Sequence, residues 1–135
     1  MKKLFVSVPM RGRTSEAIKN SIADMQEIAE VVFGEELEVI HNYFNGDNIP
    51  CDVNPSLYNL GRAIQKMAEA DYFIGIGYSS FKGCNIETEV AENYGIPTFL
   101  IPMGKCAFLR DAVEINERAY QTCSDSTVCK PTMDA

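Results

Sequence analysis

The sequence predicts a single-domain α/β fold, a doubly wound, mostly parallel sheet with helices on both faces. Three observations carry that expectation. The chain has 135 residues, enough for one core and not for two. Short runs rich in β-branched and aromatic residues alternate with longer stretches whose apolar residues recur every three or four positions. Each strand-like run leads through a polar loop into a helix-like stretch, giving the order β-α-β-α-β-α-β that a parallel sheet requires.

The first strand is expected in "KLFVSVP", which ends at Pro9. After "MRGR", Ile18, Ile22, Met25, Ala29 and Val32 follow the spacing of an amphipathic helix. Thr14 or Ser15 can cap it, Glu16 sits in a first turn that favours an anion, and Gly34 can close it. "ELEVI", residues 36 to 40, reads as the second strand, and the polar stretch "HNYFNGDNIPCDVNP" as a loop long enough to be functional or mobile. Pro55 opens a second helix with Leu57, Leu60, Ile64 and Met67 on one face. "DYFIGIG" (71 to 77) is the third strand, "YSSFKGC" a loop, residues 86 to 94 a short helix, and "IPTFLIP" (96 to 102) the fourth strand. "DAVEINERAY" (111 to 120) can form a last helix. The domain is then 1–120, with residues 121–135 a loose C-terminal tail of little apolar content. This is a Rossmann-like or flavodoxin-like order of elements.

Hydrophobic residues make up 46% of the chain and charged residues 23%, which argues against disorder. The net charge of −7 opposes binding to nucleic acid polymers and to anionic membranes, so a nucleotide-like ligand would need a local basic pocket. The apolar run after Lys2 and Lys3 is too short for a signal sequence or a membrane span, and the expected compartment is cytoplasmic. Five cysteines contain no C-x-x-C pair, and His41 is the one histidine, without a partner at ligand spacing. Neither a structural metal nor a disulfide framework is expected.

In such a sheet the strand-to-helix loops open on one edge, where ligands bind. That edge gathers residues 9–15, the long loop after the second strand, and residues 77–85. In the first loop Gly12, Arg11 and Arg13 precede a helix start, which fits a phosphate cradle or a solvated basic turn; neither the P-loop nor the G-x-G-x-x-G pattern is present. Glu87 would share the inward helix face of Val90, Ala91 and Tyr94. There its carboxylate is either used at the rim of the site or complements the helix dipole. Asp71, read from its position alone, leads the third strand. Tyr43, Phe44 and Asn45 can stack on a base or anchor their loop. Cys84 reads as a small buried residue or, at a helix start, as a reactive thiol.

Taken together, "FVSVPMRGR", Ala70-Asp71 in "MAEADYFIGI", and Glu87 followed by Gly95 in "GCNIETEVAENYG" resemble the nucleoside 2-deoxyribosyltransferase superfamily, which includes the 2′-deoxynucleoside 5′-phosphate N-hydrolases. The resemblance spans residues 3 to about 102. It implies N-glycosidic bond cleavage or transfer on 2′-deoxynucleosides or their 5′-monophosphates, with Glu87 as nucleophile and Asp71 assisting at the base or sugar. It further implies substrate contacts from Ser7, Met10, Arg11, Gly12 and Arg13, from Tyr43, and from Ser80, Gly83 and Asn85. No cofactor is implied, and the chain would be a homo-oligomer acting on a small nucleoside or nucleotide. Two departures stand out. Phe81 occupies the place, six residues before the glutamate, where the superfamily often has aspartate or serine, and "YQTCSDSTVCKPTMDA" has no counterpart to the C-terminal segment that completes a neighbour's site. The alternative is a nucleotide-binding or sensing module without turnover on the same fold.

Overall fold

The structure, a computed structural model, describes residues 1–10, 12–42, 49–77 and 81–102. Their elements run β1 (Lys2–Val6), α1 (Ser15–Phe33), β2 (Leu37–Val39), α2 (Pro55–Met67), β3 (Tyr72–Ile76), α3 (Lys82–Asn93) and β4 (Thr98–Ile101). The four strands form one sheet in the order β2-β1-β3-β4, and all its pairings are parallel. This is the expected α/β, Rossmann-like arrangement.

Local chemistry fixes the ends of the first two helices. The Thr14 hydroxyl accepts the Ala17 N–H at 3.1 Å, and Gly34, at φ 76°, closes α1 by donating its N–H to the Glu30 carbonyl. Asn54 caps α2 by accepting the Leu57 N–H at 3.1 Å, and Pro55 follows where a missing N–H is harmless.

Strand alternation sorts the core into two halves. Leu4, Val6, Ile74, Ile76 and Ile101 pack with Ile18, Met25 and Ala29 of α1. Phe5 and Phe73 point the other way, onto Ala63 and Met67 of α2 and Ala91 of α3. The sheet is therefore covered by α1 on one face and by α2 and α3 on the other. Phe5 and Phe73 are direct cross-strand partners, and their rings stack with centroids 5.6 Å apart.

Some expectations shift. Helix α3 begins at Lys82, four residues before the expected start, because the chain turns helical straight after Phe81 without a side-chain cap to mark the place. Val32, Leu57 and Tyr94 are exposed although periodicity puts them on apolar faces. All three lie in terminal turns, and α2 buries Ala63 with Met67, so its contact line runs beside the larger residues. The helix expected at 111–120 and the tail lie outside the described residues. Among the described residues no helix is long and apolar enough to cross a membrane.

Candidate active site

The strand order decides where a crevice opens. From β1 the chain passes over one face through α1 to β2, whereas from β3 it passes over the other face through α3 to β4. The carboxyl ends of β1 and β3 are therefore the topological switch point where open α/β sheets take ligands.

Ser7 stands at this point. Its N–H continues the β1–β3 ladder by donating to the Ile74 carbonyl at 2.9 Å. Two residues beyond Phe5, it emerges on the α2/α3 face. There the hydroxyl donates to Glu87 Oε1 at 2.7 Å. Gly75 lies where β3 meets α3. A Cβ there would lie 3.0 Å from a Phe73 ring carbon and 3.4 Å from Thr88 Oγ1, so a side chain would press first on the Phe73 ring while touching α3. Sequence reading passed over this glycine, although a glycine inside a strand is itself a sign of close approach.

Glu87 lies in the second turn of α3 and is partly buried. Burial pushes its carboxyl up from 4.5 to about 7, against the opposing pull of the Ser7 hydrogen bond. Near neutral pH this group can therefore act as a carboxylate or carry a proton. Cys84, one turn earlier, is buried, and its thiol is pushed up to about 12, first by burial and then by the charge of Glu87. The Ser7 hydroxyl and the Arg13 charge offset only part of that. Cys84 is a packed thiol and not a thiolate nucleophile.

The start of α3 faces the same edge. Phe81 gives it no side-chain capping hydrogen bond, Gly83 is exposed, and a Cβ there would meet nothing within 4 Å. Asn85, partly buried, donates its N–H to the Phe81 carbonyl at 3.1 Å.

The loop after β1 is a tight turn. The Arg13 N–H reaches the Met10 carbonyl at 3.1 Å, with Gly12 at φ 74°, a conformation that disfavours any side chain. Met10 is half-buried against the α1-side core. Arg13 turns back on its own chain: Nη1 donates to the Pro9 carbonyl at 2.7 Å, and Nη2 to the Ala17 carbonyl at 3.2 Å and Ser21 Oγ at 2.6 Å. Its planar fork is engaged in holding the loop to α1. The resemblance gave Arg13 a substrate contact; the structure gives it this structural task.

Asp71 is placed elsewhere. Its N–H donates to the Lys3 carbonyl at 2.8 Å, and its Oδ2 accepts the Lys3 N–H at 2.9 Å, a clamp at the amino edge of the sheet. The five residues of β3 separate it from the carboxyl edge, roughly 16 Å at strand rise. The structure thus does not bring Asp71 to Glu87, and the strand-leading role read from its position is the one it has. Arg11, Tyr43 and Ser80 lie outside the described residues.

A residue absent from the expected set sits at this edge. Asn42 is 5% exposed, and its Nδ2 donates to the Val6 carbonyl at 3.4 Å. Among the described residues no three His, Cys, Asp or Glu side chains gather to hold a metal. A shallow hollow of about 560 Å³ lined by Glu27, Glu30, Val31, Gly34, Glu35 and Glu36 lies at the far end of α1, remote from Ser7 and Glu87.

No family model matches the chain, and no curated protein or solved structure does.

Proposed function

We propose that the chain cleaves or transfers the N-glycosidic bond of 2′-deoxynucleosides or their 5′-monophosphates, with Glu87 as the nucleophile. The observation that carries this reading is a partly buried carboxylate at the switch point, held by Ser7 and shifted to about 7. The similarity of "FVSVPMRGR" and of the Glu87–Gly95 spacing to the deoxyribosyltransferase superfamily supports it.

In this chemistry a Glu87 oxygen bonds to C1′ as the C1′–N bond breaks, and the electron pair leaves on the base, which takes up a proton. Water or the nitrogen of a second base then attacks C1′, loses a proton and releases the carboxylate. Ser7 occupies Oε1, so the attack belongs to Oε2. The transition state has oxocarbenium character, which the adjacent anion stabilises, and the missing 2′-hydroxyl makes that cation easier to form. The uncapped start of α3 and the Gly12 turn offer N–H groups to a 5′-phosphate.

The test is chromatographic detection of free base after incubation with each deoxynucleoside and each 5′-monophosphate, with and without an acceptor base. Release by the wild type and not by Glu87→Ala is the expected result. Full turnover in a folded Glu87→Ala protein would refute the reading.

A second reading, a nucleotide-binding module without turnover, draws on one observation. Asp71, the group the resemblance pairs with Glu87, is at the other edge of the sheet. It predicts thermal stabilisation by a nucleotide with no base released.

A further inference from the structure

We propose that Asn42 is a recognition residue whose amide oxygen accepts a hydrogen bond from a neutral N–H or O–H group of the ligand in the Ser7–Glu87 crevice. This inference rests on the nucleotide reading above.

Position comes first. The Ile40 N–H bonds the Leu4 carbonyl at 2.9 Å, carrying the β1–β2 pairing one residue past β2, and Ile40 packs with Phe5 on the α2/α3 side. Two residues on, the Asn42 amide reaches the Val6 carbonyl, next to Ser7. Asn42 therefore flanks Ser7 from the β2 side, as α3 flanks it from the β3 side.

The chemistry follows from the orientation of the amide. A carbonyl can only accept, so the Val6 oxygen requires the NH₂ group of Asn42 to face it, and this leaves Oδ1 turned the other way. Oδ1 is buried and has no hydrogen-bond partner among the described residues. Folded proteins rarely leave a buried acceptor unmatched, and where they do the atom calls for a function, a water or an ion. Asn59 repeats the pattern. Its Oδ1 is also buried without a partner among the described residues, and it lies four residues before Ala63, hence on the same side of α2 and one turn nearer the helix start, the end that lies toward the carboxyl edge.

Two acceptors unmatched among the described residues select against a phosphate, whose oxygens are mostly deprotonated acceptors at neutral pH, and in favour of hydroxyl or amine groups. The ligand is thereby oriented, with its sugar or base toward Asn42 and any phosphate toward the Gly12 turn and the start of α3. In a deoxynucleotide the candidate donors are the 3′-hydroxyl and the amine or ring N–H of the base.

The experiment is calorimetric titration of the four deoxynucleoside 5′-monophosphates into Glu87→Gln protein, which keeps the side-chain shape without turnover, and into the same protein carrying Asn42→Leu. Asn42→Ser serves if the leucine variant does not fold. Loss of affinity by about tenfold or more is expected for the ligand bound by the parent, the scale of one neutral hydrogen bond to a buried group. A 2′,3′-dideoxy analogue that binds both proteins equally assigns the contact to the 3′-hydroxyl. A base analogue lacking the amine that does so assigns it to the base. Unchanged affinity for every bound monophosphate in the Asn42 variants overturns this inference and leaves the nucleotide reading standing. Absence of binding to the parent and to the wild type overturns both.

Discussion

Ser7 and Glu87 stand 80 residues apart in the chain and 2.7 Å apart in the fold. Their hydrogen bond ties the end of one of the sheet's two central strands to a helix on its α2/α3 face. It also holds a carboxylate in a place where burial works against its charge.

Replacing Glu87 by Gln should stop turnover and stabilise the fold at once. The folded pKa of about 7 lies above the ordinary value of 4.5, so the stability this group contributes is full below about 4.5 and is lost as pH rises through 7. Glutamine has no charge to desolvate. Urea denaturation should show Glu87→Gln more stable than wild type at pH 8, by up to about 3 kcal/mol at 1.36 kcal/mol per pKa unit, and nearly equal to it at pH 4.5. Equal stability at both pH values would mean that Glu87 is well solvated.

Ser7→Ala removes the bond that draws the Glu87 pKa down. The ascending limb of kcat/KM against pH should then move to higher pH, so the loss of rate is greatest below neutrality and small at pH 9. A uniform loss at all pH values would assign Ser7 to substrate contact alone.

Gly12→Ala tests the turn. Its Cβ would meet no neighbour, so the penalty is that of the φ 74° backbone, about 1–2 kcal/mol. A lower urea midpoint with an unchanged m-value is the expected signature.

Arg13→Lys should lower stability by about 2 kcal/mol, because an ammonium cannot span Pro9, Ala17 and Ser21 together. Affinity of the folded variant for a deoxynucleoside monophosphate should be unchanged in titration calorimetry. A selective loss of affinity for phosphorylated ligands would return Arg13 to the binding set.

Asp71→Ala should leave base release unaltered while lowering stability by about 1 kcal/mol through the lost bond to the Lys3 N–H. A fall in kcat without a fall in stability would contradict its placement.

The order of the elements was legible because each signal was local. Thr14, Gly34 and Pro55 mark helix ends by their own side-chain and backbone chemistry, and short apolar runs mark strands. The start of α3 was not, because Phe81 is no capping residue and "FKGCN" reads as loop. Glu87 could be found from helical phase and from the resemblance, but its partner could not, since nothing near Ser7 announces a contact so distant in sequence. Asp71 is a different case. A residue that begins a parallel strand lies at the amino edge, so strand direction alone separates it from a site at the carboxyl edge. Asn42 sits in a polar stretch, and only the tertiary fold buries it.

The place of β1 also bears on how the chain is made. It precedes the other three strands in the sequence, yet it ends between β2 and β3. Some forty residues suffice to close β1, α1 and β2, after which the other side of β1 stays bare until Tyr72–Ile76 are synthesised. During that interval the nascent chain presents an open strand that invites mispairing. Glu87 arrives later still, so the Ser7–Glu87 pairing is absent from every fragment that ends before α3.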